Sequence, residues 1–313
     1  MLTTFDPPEL ANEQLLMRRQ FTYSMSALKA GQQVFDTYIP YPSVTRALES
    51  IDRIHQLAEQ ISLTQGLMIT GPTGTGKTTL IRYFQASLPP DGRVDENARS
   101  LYIRLQEQPS AGRIVSALLR EIRYPFSSVS NQNLGIKRDI LIEALQQRRC
   151  KLLFIDEAHY LCQSRRGRNP DRVGTYTTDL LREIADGVPL ALVLTGEKTL
   201  DRLAEVDSHM AARVPVRVAL ANFEPMDRDW ISIVMALMRA CPEVSFENLL
   251  DKPELHRIHN ATGGNMRLLK WLLSEAVMVT VDAGQKMTRK EDMALAFDRL
   301  NGTTDQLRNP WRN

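Results

Sequence analysis

GPTGTGKTT at residues 71–79 decides how the rest of this chain is read. The apolar run Gly66, Leu67, Met68, Ile69 and Thr70 leads into it, and Leu80, Ile81, Arg82, Tyr83 and Phe84 lead out. A short strand therefore feeds a glycine-rich loop that feeds a helix, the layout of a P-loop. Gly71, Gly74 and Gly76 let backbone N–H groups curl around phosphate oxygens with no Cβ in the way. Pro72, Thr73, Thr75 and Thr79 complete the nucleotide-binding stretch. Lys77 brings a point positive charge, Thr78 a hydroxyl suited to Mg²⁺, and the helix starting near Lys77 points its positive dipole end at the bound anion. The spacing predicts a site for ATP with Mg²⁺.

Working outward, 313 residues are enough for one large domain and a smaller one. A hydrophobic share of 43% with 24% charged residues is that of a soluble globular protein. The net charge of +2 is so nearly balanced that any nucleic-acid surface must be local. No apolar run approaches the roughly 20 residues that span a bilayer. MLTTFDPPEL at the start lacks the basic-then-apolar layout of a signal peptide, so a cytoplasmic protein with no membrane partner is expected. Cys150, Cys162 and Cys241 have no metal-type spacing and read as reduced thiols. His256 and His259 stand three apart, as one helix face explains.

Taken in order, residues 1–37 form an amphipathic arm with a helix expected over 9–29 and no partner in the sequence itself. YIPYP (38–42) is extended, and Ser43 can cap a helix whose apolar positions run from Val44 to Ile61. After the P-loop helix, strands are expected at 100–105, 151–155, 190–194 and 214–220, the last weakened by Pro215 near its start. Helices alternate with them. The pattern predicts an α/β fold, a doubly wound parallel sheet over 38–222 that binds ligands at the carboxyl ends of its strands. From 223 to 301 only helices follow, a small C-terminal lid with caps expected at Asp227, Asn265 and Thr288; 302–313 is a flexible polar tail.

Asp156 and Glu157 close the 151–155 strand and so reach the same sheet edge as the P-loop. Asp156 is placed to hold Mg²⁺, chiefly through water, and Glu157 to orient and polarise the attacking water. Thr195 ends the next strand, from which a polar side chain senses the γ-phosphate, or serves only as a turn residue before Gly196. Transition-state charge calls for an arginine. Arg213, just before the fifth strand, is the first choice and Arg217 the reserve; Arg267, one turn into a lid helix, is placed to fold over the phosphates.

Together these residues resemble the AAA+ ATPases: Walker A at 71–78, Walker B at 152–157, sensor one at Thr195, arginine finger at Arg213 and sensor two at Arg267. Within that class the chain is similar to the transposon-encoded regulators of the TniB/TnsC type, functional relatives of the phage Mu B protein. YIPYP with Arg46, DEAH at 156–159, LTG at 194–196 and Asn309-Pro310-Trp311 carry the likeness, although family tails more often have phenylalanine where Trp311 stands. The resemblance implies a homo-oligomer, ring or filament, with ATP at its interfaces. It further implies assembly on target DNA, a link from a TniQ-type target-selection factor to the transposase, and release upon hydrolysis.

The DEAH tetrad also invites a helicase reading, but such enzymes need two ATPase-like lobes and this length holds one. SRRGRNPDR (164–172) puts Arg165, Arg166, Arg168 and Arg172 against Asp171 alone, a loop able to track duplex phosphates without base preference. Arg104, Lys137 and Arg138 are further candidates, on segments that line the DNA channel in the resembled family. A helicase loader or replication initiator shares every nucleotide motif, and an ATP-binding scaffold without required turnover is the other alternative.

Overall fold

The computed structural model describes residues 23–88, 100–130, 132–163, 175–302 and 308–312. Of these, the residues within 40–223 and 265–267 form one compact unit, and those within 23–39, 224–264 and 268–312 form a second.

The first unit is built on a five-stranded parallel sheet, β1 (Leu67–Thr70), β2 (Ser100–Arg104), β3 (Leu152–Asp156), β4 (Ala191–Gly196) and β5 (Val216–Ala219), in the order β2-β3-β4-β1-β5. β1, β3 and β4 are buried at every position, as strands covered on both faces must be. β5 alternates half-buried and exposed residues because it lies at the sheet edge, where Pro215 at its entry deprives no inner ladder of a donor. Helices Lys77–Ser87, Ala111–Glu121, Leu134–Gln147 and Tyr176–Gly187 fall between the strands. Ile69 stands beside Thr195, Thr70 beside Gly196, and Arg104 beside Asp156, so the carboxyl ends carrying the chemistry share one edge.

Local details correct several expectations. Ser43 does not cap the helix Pro42–Gln60: Pro42 occupies the first turn, where its missing N–H costs nothing, and Tyr41 is the extended residue before it. Thr288 does not cap the helix Lys290–Asn301 either. Its hydroxyl is buried against Thr280 Oγ1 at 3.1 Å, and Arg289 takes the cap position with its amide on Asp292 Oδ2 at 2.8 Å.

In the second unit, helices Arg228–Met238, Lys252–Thr262, Met266–Asp282 and Lys290–Asn301 bury Trp230, Ile258, Leu273 and Phe297. Most of the helix expected over 9–29 lies outside the described residues. Its last residues, 25–29, belong instead to a separate helix, Met25–Asp36, which starts after the extended cap residue Ser24, runs seven residues beyond the expected stop at 29 and has a partner in the chain after all. Gly31 lies so close to the helix Met266–Asp282 that a Cβ there would sit 2.5 Å from Met278 Cγ, and Lys270 Nζ donates to Phe35 O at 2.8 Å. The tail also departs from expectation, since residues 308–312 are held against this unit by Asn309 and Trp311. Among the described residues, no helix is long and apolar enough to cross a membrane, and no group of three or more His, Cys, Asp or Glu could hold a metal ion.

Candidate functional site

The P-loop turns where only glycine is comfortable. Gly74 and Gly76 have φ of +86° and +93°, and a Cβ on Gly74 would come within 2.4 Å of Asn265 Oδ1. Gly71 donates to Gly196 O at 3.1 Å, which ties the loop to the end of β4. Thr75 is buried and donates to Pro72 O at 2.9 Å, while Pro72, Thr73 and Thr79 are exposed. Lys77, the first residue of the helix Lys77–Ser87, donates from Nζ to Gly71 O at 2.7 Å and Pro72 O at 2.9 Å. Burial lowers its pKa from the usual lysine value, and the charges of Glu157, Asp156 and Glu197 oppose that shift.

Asp156 is the hub beneath this loop. Its Oδ2 accepts from Thr78 Oγ1 at 2.7 Å and Tyr102 OH at 3.1 Å, and its Oδ1 from Thr195 Oγ1 at 2.6 Å and the Glu157 amide at 3.0 Å. The carboxylate is 1% exposed, so these four bonds stand in for water. Burial, together with the Asp156 charge and hydrogen bond, pushes the Tyr102 hydroxyl up to about 12, which keeps it a donor.

Glu157 follows in a left-handed conformation, φ +55°, at the turn from β3 into the short helix Ala158–Cys162. Its Oε1 pairs with Arg104 Nη2 at 2.9 Å, and its Oε2 lies 3.4 Å from His159 Nδ1, which also accepts from the Glu197 amide at 3.4 Å. Glu197 in turn accepts from Thr73 Oγ1 at 2.9 Å. The residues after β3 and β4 are thus linked back to the P-loop.

Arg267 reaches the loop through its backbone: its amide donates to Gly74 O and to Asn265 Oδ1, both at 3.1 Å, while Asn265 Nδ2 donates to Thr73 O at 2.8 Å. Its charge is close enough to lower the pKa of Lys77 further. Arg213 is not brought to this edge. It ends the short helix Ser208–Arg213, pairs with Asp186, and accepts the Gly66 amide at 2.8 Å, at the amino end of β1. Arg217 lies 3.9 Å from Asp201.

Of the candidate DNA contacts, Arg165, Arg166 and Arg168 lie outside the described residues. Arg104 is 65% exposed beyond its pair with Glu157. Lys137 Nζ donates to Phe126 O at 2.6 Å and sits 5.1 Å from the Tyr124 ring, and Arg138 pairs with Asp139 and Glu183. In a cavity of about 470 Å³, Arg113 and Arg120 join Arg104. Isolated arginines in a helix carry no motif, so nothing in the sequence singled them out. Tyr102 and Tyr41 likewise join the site with no nucleotide motif to mark them. Tyr41 donates to Thr75 O at 3.1 Å and stacks edge-on to Phe223, so YIPYP braces the P-loop directly.

The family model described as Bacterial TniB protein matches residues 30–224, more than half of the chain. The chain belongs to the TniB family. No curated protein matches the sequence. Among solved structures it is similar to the Aeropyrum pernix ORC2 protein in its ADPNP-ADP complexes, with a TM-score of 0.64 at 17% identity over 88% of this chain and 72% of that one. Cdc6p from Pyrobaculum aerophilum gives 0.59 at 19% identity, covering 84% and 69%. The Aeropyrum pernix ORC1 protein in complex with DNA gives 0.60 at 16%, covering 86% and 69%. At these identities the likeness is one of fold, and the fold is that of the AAA+ P-loop ATPases.

Proposed function

We propose that this TniB-family chain is a cytoplasmic ATPase that assembles on duplex DNA without sequence preference, regulates transposition, and is released as ATP is hydrolysed. The observation that carries the catalytic part is the buried Asp156 carboxylate, which gathers Thr78, Thr195 and the Glu157 backbone at one point under the P-loop. Family membership supports the transposition part, with a transposase and a TniQ-type target-selection factor as partners.

In this reading, P-loop amides and Lys77 cradle the β- and γ-phosphates, and Glu157 accepts a proton from the attacking water. Thr78 Oγ1 and Asp156 Oδ2 offer an all-oxygen pair suited to Mg²⁺, an ion that keeps most of its waters. When bound, Mg²⁺ supplies positive charge to the phosphate oxygens. Arg267, anchored on Gly74, reports the nucleotide state to the helix Met266–Asp282. Arg213, at the other edge of the sheet, serves the site of a second copy in a homo-oligomer.

Arg104 gives this site a way to sense DNA. Its ion pair with Glu157 occupies the general base, yet exposed pairs of this kind are worth only about 0.2–1 kcal/mol. A DNA phosphate drawn to Arg104, Arg113 and Arg120 therefore competes for the guanidinium and frees Glu157. Phosphate release measured with and without random duplex tests this. Wild type is expected to be stimulated by duplex, and Arg104→Ala to show a several-fold higher basal rate with little further stimulation. An Arg104→Ala protein with the wild-type basal rate and full stimulation contradicts the account.

A further inference from the structure

The chain's own tail lies in the second unit as a bound peptide lies on a receptor. Asn309 is 8% exposed; its amide donates to Ala294 O and Asp298 Oδ1, both at 2.8 Å, and its Oδ1 accepts from the Trp311 amide at 3.0 Å. That last bond closes a turn around Pro310, whose fixed φ pre-sets the bend. Trp311 then leans on Phe297, ring centroids 6.4 Å apart, and its indole Nε1 donates to Glu254 Oε2 at 2.9 Å. Arg312 pairs with Asp298.

Glu254 shows what the cleft demands of its occupant. With the tail in place it is fully buried; Lys290 Nζ at 2.7 Å and Arg257 cover Oε1, and Trp311 is the donor given to Oε2. A buried carboxylate oxygen without a donor is strongly disfavoured, so the cleft selects a ring that carries an N–H. Every contact comes from the side chains and turn of four residues, and none requires the tail to be continuous with the helix Lys290–Asn301.

We propose that the cleft between helices Lys252–Thr262 and Lys290–Asn301 is a peptide-recognition site for an asparagine-proline-tryptophan segment followed by a basic residue. The chain's tail occupies it, and a segment of the same chemistry on a partner protein enters by displacing that tail. The tail belongs to the same chain as the cleft and so competes intramolecularly, at an effective concentration on the order of millimolar. An outside peptide therefore binds the wild-type chain weakly, and binds strongly once the tail is disabled.

The test uses a fluorescein-labelled peptide of sequence RNPWRN on the full-length chain, with fluorescence anisotropy as the readout. Asn309→Ala with Trp311→Ala in the protein disables the tail and leaves the cleft intact. The peptide is expected to bind this variant at least about tenfold more tightly than wild type, as removal of a tethered competitor requires. Peptides with alanine for asparagine, or phenylalanine for tryptophan, are expected to bind several-fold more weakly to the same variant. Changing the peptide keeps the result independent of any folding defect in the protein. Equal affinity for the two proteins, no binding to the variant, or indifference to either peptide change overturns the proposal.

Discussion

Glu157→Gln is expected to lower ATP turnover by about 10²–10⁴-fold, the usual contribution of a positioned general base. Glutamine keeps the size of the side chain, and its carbonyl can still accept from Arg104 Nη2, now 2.9 Å from Glu157 Oε1. What disappears is the ability to take a proton. Nucleotide affinity should change little, because Glu157 touches neither the P-loop backbone nor Thr78 among the hydrogen bonds that build the loop. Lys77 should shift slightly further down, since the Glu157 charge is the largest of the effects opposing its burial. Phosphate release and titration with a fluorescent ATP analogue separate the two readouts. Turnover within tenfold of wild type would remove Glu157 from the role of base.

Asp156→Ala is expected to cost both the site and the fold. It leaves the hydroxyls of Thr78, Thr195 and Tyr102 without their acceptor, and Thr195 is fully buried. Each such group costs about 1–3 kcal/mol when unpaired in the interior. Loss of the charge also relieves repulsion from Glu157, but Arg104 already pairs with Glu157, so the lost hydrogen bonds dominate. A fall in Tm of roughly 5–10 °C follows for a chain of this size, together with loss of measurable turnover. Asp156→Asn keeps one acceptor oxygen and should lose turnover with a smaller fall in Tm. If both variants melt with wild type, the hub described around Asp156 is not a structural one.

Much of this was legible because the fold and the site share one cause. The strand-loop-helix run through 66–84 fixes the P-loop by local chemistry, and the apolar runs ending at Ile155 and Leu194 mark strands that must end beside it. All five expected strands are present, and Asp156 and Thr195 meet at 2.6 Å although 39 residues separate them. What the sequence hid depended on contacts between distant elements. Tyr102 is one residue in an ordinary strand until β2 and β3 pair in register beside Asp156. The ion pair of Arg104 with Glu157 is likewise a consequence of that register: an arginine expected to contact DNA pairs here with the proposed base. The tail read as polar and unattached because Asn309 and Trp311 find their partners on helices 11 and 57 residues earlier in the chain.

The central claim is that ATP, held by this P-loop, assembles the chain on duplex DNA. Co-sedimentation with random duplex, in ATP, in ADP and with Lys77→Ala, tests it most directly. The account predicts that the wild-type chain pellets with the duplex in ATP, and that neither the ADP sample nor the Lys77→Ala protein does. A chain that pellets equally in all three conditions, or in none, would contradict it.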